Sequence, residues 1–221
     1  MAIRLLLLLF IGTTPLYGLQ LIEMEEDIRI PNPSEVAKMA RYIIHNSDWA
    51  SIATISTLSE IQTYPFVSLK SVSDGPRDNS TGNLYFYITS MDVSGKDITV
   101  DNRVTIMATL AESSYCSQNN LDPQDPRCAK VIISGHFHKV DNATSPEEYK
   151  FARASLFERH PAMKYWPIDH NWYIGKIDIN LILVLDFFGG IKNVSIEDYF
   201  NANITSYNTE HWKVSVIDIP V

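Results

Sequence analysis

The sequence predicts a β-rich α+β domain, its strands closed into a barrel or stacked as a sandwich with helices packed outside. Three observations lead there. Runs rich in β-branched and aromatic residues recur along the chain at hairpin-like spacing. Turn signals such as Ser73-Asp74-Gly75-Pro76 separate them. Helical periodicity is confined to a few short segments, which argues against a parallel α/β sheet.

The elements follow in chain order. Residues 19–33 are acidic and end in Pro31-Asn32-Pro33, so they read as an extended arm. Ser34 is placed to cap a helix whose residues Val36, Met39, Ala40, Ile43 and Ile44 recur with the period of a one-sided apolar face. Strands are expected at 49–57, 66–73, 84–89, 104–110 and 130–140, with a short helix at 93–101. A second helix starts at Ser145, with Pro146 in its first turn and Glu148 completing a capping box. A long β-rich run covers 172–187 and closes on Gly189-Gly190; a short acidic helix covers 196–200. Trp212, Val214, Val216 and Ile217 suggest one more strand in a tail, 206–221. The folded domain therefore spans residues 34–205.

The N-terminus decides the compartment. Arg4 precedes an apolar run, Leu5 to Ile11, and small or turn-prone residues follow up to Gly18. This is the layout of a secretory signal peptide, residues 1–18, cut after Gly18. The run falls short of the roughly 20 residues of a spanning helix, and no other stretch qualifies, so no membrane insertion is expected after cleavage. Four sequons fit an exported chain, at Asn79, Asn142, Asn193 and Asn203, and each acceptor is expected on an exposed loop or element end. Cys116 and Cys128 flank a loop-forming stretch. In an oxidising compartment they would pair, closing a loop worth about 3 kcal/mol in the chain-entropy model. Two free buried thiols are the alternative; two cysteines alone do not complete a zinc shell. The net charge of −8, without a basic stripe, excludes a nucleic-acid backbone as partner.

Signals for catalysis are sparse. No G-x-S-x-G is present, and neither cysteine adjoins a histidine. His136 and His138 share one strand face; two ligands without a third read as solvated or cross-strand-packed rings, and no metal is expected. The stretches His160 to Pro167 and His170-Asn171-Trp172 are dense in aromatic rings and polar tips. They either line a pocket or form a satisfied core, and composition favours the core.

Several stretches together resemble the CREG family, named as cellular repressors of stimulated genes. They include Ser47-Asp48-Trp49, Ala53 to Leu58, Ser73-Asp74-Gly75-Pro76 and Tyr85-Phe86-Tyr87. They continue with Asp122-Pro123-Gln124 before Cys128, Ser155-Leu156-Phe157, Trp166-Pro167, His170-Asn171-Trp172 and Leu185-Asp186-x-Phe188-Gly189-Gly190. The resemblance implies a six-stranded split β-barrel related to pyridoxamine-phosphate oxidase. It further implies a homodimer, glycosylated, secreted or endo-lysosomal, with roles in growth control and differentiation, and lacking flavin and oxidase activity.

The flavin-phosphate motifs of the oxidase relatives are half kept. Where an Arg would stand five residues before Lys70 there is Pro65. Ser94-Gly95-Lys96 and Asn102 fit the second motif, so Ser94 and Lys96 are the candidate phosphate ligands. Lys96 reads equally as an exposed helix lysine. The expected function is that of a non-enzymatic secreted glycoprotein, dimeric through apolar area supplied by Trp49, Trp172 and the aromatic segments. It would bind a cell-surface or lysosomal sorting receptor. An FMN-binding oxidoreductase is the alternative; a nuclear transcription factor, which the family name suggests, is opposed by the signal peptide and the acidity.

Overall fold

The computed structural model describes residues 29–205 and Tyr207. The expected signal peptide, the expected arm before residue 29 and the tail with its expected strand lie outside the described residues, Tyr207 excepted. The elements are α1 (Val36–Asn46), β1 (Trp49–Ile55), β2 (Pro65–Ser73), β3 (Tyr85–Ile88), α2 (Val93–Val100) and β4 (Arg103–Thr109). Then come α3 (Tyr115–Gln118), β5 (Lys130–Lys139), α4 (Pro146–Arg159), β6 (Tyr173–Leu185), β7 (Lys192–Val194) and α5 (Ile196–Asn201), with short 3-10 turns between some of them.

All strand pairings are antiparallel, in the order β3-β2-β1-β4-β5-β6-β7. A further pairing of β3 with β6 closes six strands into a barrel and leaves β7 as an addition on β6. Closure depends on one bulge. Ser134 pairs with Leu181 and Gly135 with Ile179, so Asn180 is the extra residue on β6. Such a bulge bends its strand. Beyond the bend, residues 173–176 of β6 pair with β3, and Gly175 and Lys176 pair with β5 as well.

Alternation sorts the two faces. Ile52, Ile106, Ile133, Ile182 and Val194 form one cross-strand row, and all are buried in the interior. One residue out of phase, Ser51, Met107, Ile132, Leu183 and Asn193 form the outward row. The apolar face of α1 joins the barrel core through Met39, Ala40, Ile43 and Ile44. A satellite core lies under α4, where Ala152, Leu156 and Phe157 meet Tyr85 and Ile174.

Cys116 and Cys128 are joined as a disulfide, as the export reading expected. Two capping expectations are corrected. Ser34 does not cap α1: its hydroxyl donates to Asn32 Oδ1 at 2.8 Å, and Glu35 precedes the helix without a side-chain cap bond. The Ser145–Glu148 capping box does not form either. Glu148 is instead drawn outward to the barrel wall, accepting from Lys176 Nζ at 2.6 Å and from the Tyr85 hydroxyl at 3.2 Å. Helix α5 is capped by Ser195, whose Oγ accepts from Asp198 N at 3.0 Å.

One carboxyl group makes the fold sensitive to pH. Desolvation pushes Glu112 up to about 7, although the Thr109 N–H donates to it. A raised carboxyl binds its proton more tightly when folded. Stability therefore falls as pH rises from about 4.5, the ordinary value, through about 7. The melting temperature is expected to be a few degrees higher at mildly acidic than at mildly alkaline pH. Glu112→Gln is expected to remove that difference in a thermal scan at the two pH values.

Candidate functional site

The start of α2 is where a flavin phosphate would be held. Its helix is brought tight against the end of β3: a Cβ on Gly95 would stand 2.0 Å from the Thr89 carbonyl oxygen, so only glycine fits. Asp97, fully buried, accepts from Thr54 Oγ1, Thr57 N and Thr57 Oγ1, each at 2.7 Å, which locks α2 to the end of β1.

The ligands at this point are already engaged. Lys70 on β2 forms an ion pair with Asp92, and Ser94 Oγ donates to the same Asp92 oxygen at 2.9 Å. Burial works against ionisation of Asp92, but the bonds from Lys70 and Ser94 outweigh it and hold the carboxyl below its ordinary range. A carboxylate thus stands beside the one lysine the first motif retains. It would repel an incoming phosphate, and Pro65 offers no replacement charge. Of the second motif, Ser94 is buried and spent on Asp92, while Lys96 is exposed on the outer side of α2. The residues present do not fit a flavin phosphate.

A second constellation went unseen in the sequence. Asp74, fully buried, meets His45 Nδ1 at 2.6 Å and accepts from Arg159 Nη2 at 3.2 Å. Ser80 Oγ donates to its other oxygen at 2.6 Å and Gly82 N at 3.2 Å. Arg159 also donates to the backbone carbonyls of His45 and Gly75, and His45 Nε2 donates to that of Arg77. Burial opposes the charge on Asp74, yet His45, Arg159 and Ser80 together hold its carboxyl below the usual range. The network bolts α1, the 74–83 loop and α4 together.

The remaining expectations resolve as follows. Asn79, Asn142, Asn193 and Asn203 are all exposed, the first two and the last outside helices and strands as expected; Asn193 departs from the expectation, standing in the middle of β7 opposite Leu183. His136 faces Asn180 Oδ1 at 3.0 Å and His138 faces Asp178 at 3.2 Å; no cluster able to hold a metal occurs among the described residues. His160 donates from Nε2 to the Val72 carbonyl at 3.1 Å, the satisfied-core reading. Trp172 stacks on Tyr87 with ring centroids 5.2 Å apart and packs against Trp166 at 4.7 Å. Part of its area is thus covered within the chain.

The outward barrel face differs. Trp49 is 41% exposed, Val67 and Leu69 61%, Met107 39% and Leu181 37%. The registers of β1, β2, β4, β5 and β6 turn these side chains outward, with Ser51, Thr105 and Ser134 between them.

The closed six-stranded antiparallel barrel places the chain in the class of split-barrel folds. A haem-binding protein from Mycobacterium smegmatis superposes with a TM-score of 0.59 at 17% identity, covering 78% of this chain and 62% of that one. A Clostridium acetobutylicum protein related to general stress protein 26, of the pyridoxinephosphate oxidase family, gives 0.50 at 9% identity over 76% and 99%. The family model described as CREG, beta-barrel, matches residues 31–201. Protein CREG1 of Gallus gallus is 41% identical over 174 residues, 78% of this chain and 88% of that relative. This chain belongs to the CREG family.

Proposed function

We propose that this chain is an exported, N-glycosylated homodimer. It acts by binding a cell-surface or lysosomal sorting receptor or another protein partner, in growth control, differentiation or lysosomal function, and not as a flavin oxidoreductase. One observation carries the reading: Asp92 holds Lys70 and Ser94 at the place where the oxidase-like relatives would hold phosphate. The N-terminal apolar run, the exposed sequon asparagines and the disulfide support an oxidising, sugar-attaching compartment. The outward apolar face supports action through a binding surface.

The test is a titration of the purified, secreted protein with FMN, followed by flavin fluorescence and visible absorbance. No stoichiometric binding is expected at micromolar protein. A yellow protein carrying one flavin per chain would restore the oxidoreductase reading, for which the exposed Lys96 and the barrel's flavin-enzyme relatives would then speak.

A further inference from the structure

A cleft of about 520 Å³ opens between α1, the 74–83 loop and the segment after α5, and two sequon asparagines, Asn79 and Asn203, share its lining with Phe200 and Tyr207. We propose that this cleft is the seat of the first N-acetylglucosamine of a glycan on Asn203. The sugar would rest on the Phe200 ring and fix the end of the domain. The inference rests on the export reading above and goes beyond it: the glycan becomes part of the fold rather than only an address.

The geometry at Asn203 favours this. Its Oδ1 accepts from Thr205 N at 2.9 Å and from Thr205 Oγ1 at 2.7 Å, which turns the oxygen toward its own chain. Nδ2, the atom that carries the sugar, makes no hydrogen bond among the described residues. During export, Nδ2 loses a proton as its bond to the sugar C1 forms and the C1–O bond to a lipid diphosphate breaks.

Phe200 lies three residues earlier and is 40% exposed. Its position is held from behind. The ring sits edge-on to the fully buried Tyr199, with centroids 5.2 Å apart, and its carbonyl accepts from Arg41 Nη1 at 3.1 Å. A ring with two side-chain torsions, already braced, loses little freedom on covering the C–H face of a pyranose. Arg77 and Asn79, which also line the cleft, would supply polar partners for the acetamido group and the hydroxyls.

The experiment uses the full chain secreted from cells that make only oligomannose glycans, as wild type, Asn203→Gln, Phe200→Ala and the double variant. Glycopeptide mass spectrometry first reports all four asparagines. Asn203→Gln is expected to lower the melting temperature by about 2–4 °C, the shift of one good contact in a domain of this size. Trimming the wild type to a single N-acetylglucosamine is expected to leave it unchanged. Phe200→Ala is expected to cost more on the glycosylated chain than in the Asn203→Gln background.

Additive effects of the two substitutions would overturn the proposal. So would a loss on trimming equal to that of full removal, or a bare Asn203 beside other occupied sites. A silent Asn203→Gln, with stability falling instead on deletion of residues 208–221, would give the cleft to the tail and likewise sink it. In each of these cases the export reading stands. Four bare asparagines would bring down both.

Discussion

Asp74→Asn is expected to destabilise the fold by about 3–5 kcal/mol, the cost of leaving a buried charge without its counter-charge. The substitution keeps the shape of the side chain but removes the negative charge in direct contact with Arg159 and His45, both buried. Chemical denaturation of the secreted protein measures the loss, and a fall in secreted yield accompanies it. Arg159→Met added to Asp74→Asn is expected to recover part of the stability, because a buried ion pair replaced by apolar groups is often tolerated where a broken one is not. The pH dependence follows from the lowered carboxyl. A folded-state value below the unfolded one contributes stability above the unfolded value and loses it as pH falls through the folded value. The bolt therefore stays intact at about pH 5, well above that window, so an acidic endo-lysosomal lumen would not open it. Unfolding of the wild type on acidification from neutral to that pH would contradict this.

Much of the barrel was legible because its strands alternate. Ile52, Ile106 and Ile133 each sit between outward-facing neighbours, and that pattern needs no tertiary knowledge. Closure was not legible. It depends on Asn180 as a bulge and on Gly175 and Lys176 pairing on two sides, and both are properties of strands distant in sequence. Strand β7 is three residues long, too short to carry a period. The caps expected at Ser34 and Ser145 failed because Asn32 and Lys176 compete for Ser34 and Glu148 respectively. At the would-be flavin site, Pro65 announced the missing charge. Asp92 did not announce the replacement: an acid before a helix reads as a cap, and nothing local sets it against Lys70. Asp74 was hidden in the same way. In Ser73-Asp74-Gly75-Pro76 it reads as a turn residue, whereas the fold buries it completely. The pairing of Cys116 with Cys128 was legible from the exported context and their short separation.

The barrel's outer face gives the second large effect. Met107 points outward in the row with Ser51 and Ile132 and is 39% exposed, so a charge there leaves the core untouched. In a two-fold interface each substitution enters twice. Met107→Glu would bring two carboxylates into an apolar contact and is expected to weaken dimerisation by about 100-fold or more. Its circular dichroism spectrum should match that of the wild type.

The central claim is that this barrel presents a surface for association in place of a flavin cleft. Light scattering on the wild-type secreted protein at micromolar concentration tests it most directly. The mass of two glycosylated chains is predicted, with Met107→Glu at the mass of one. A wild type that runs as a single chain throughout that range would contradict the account.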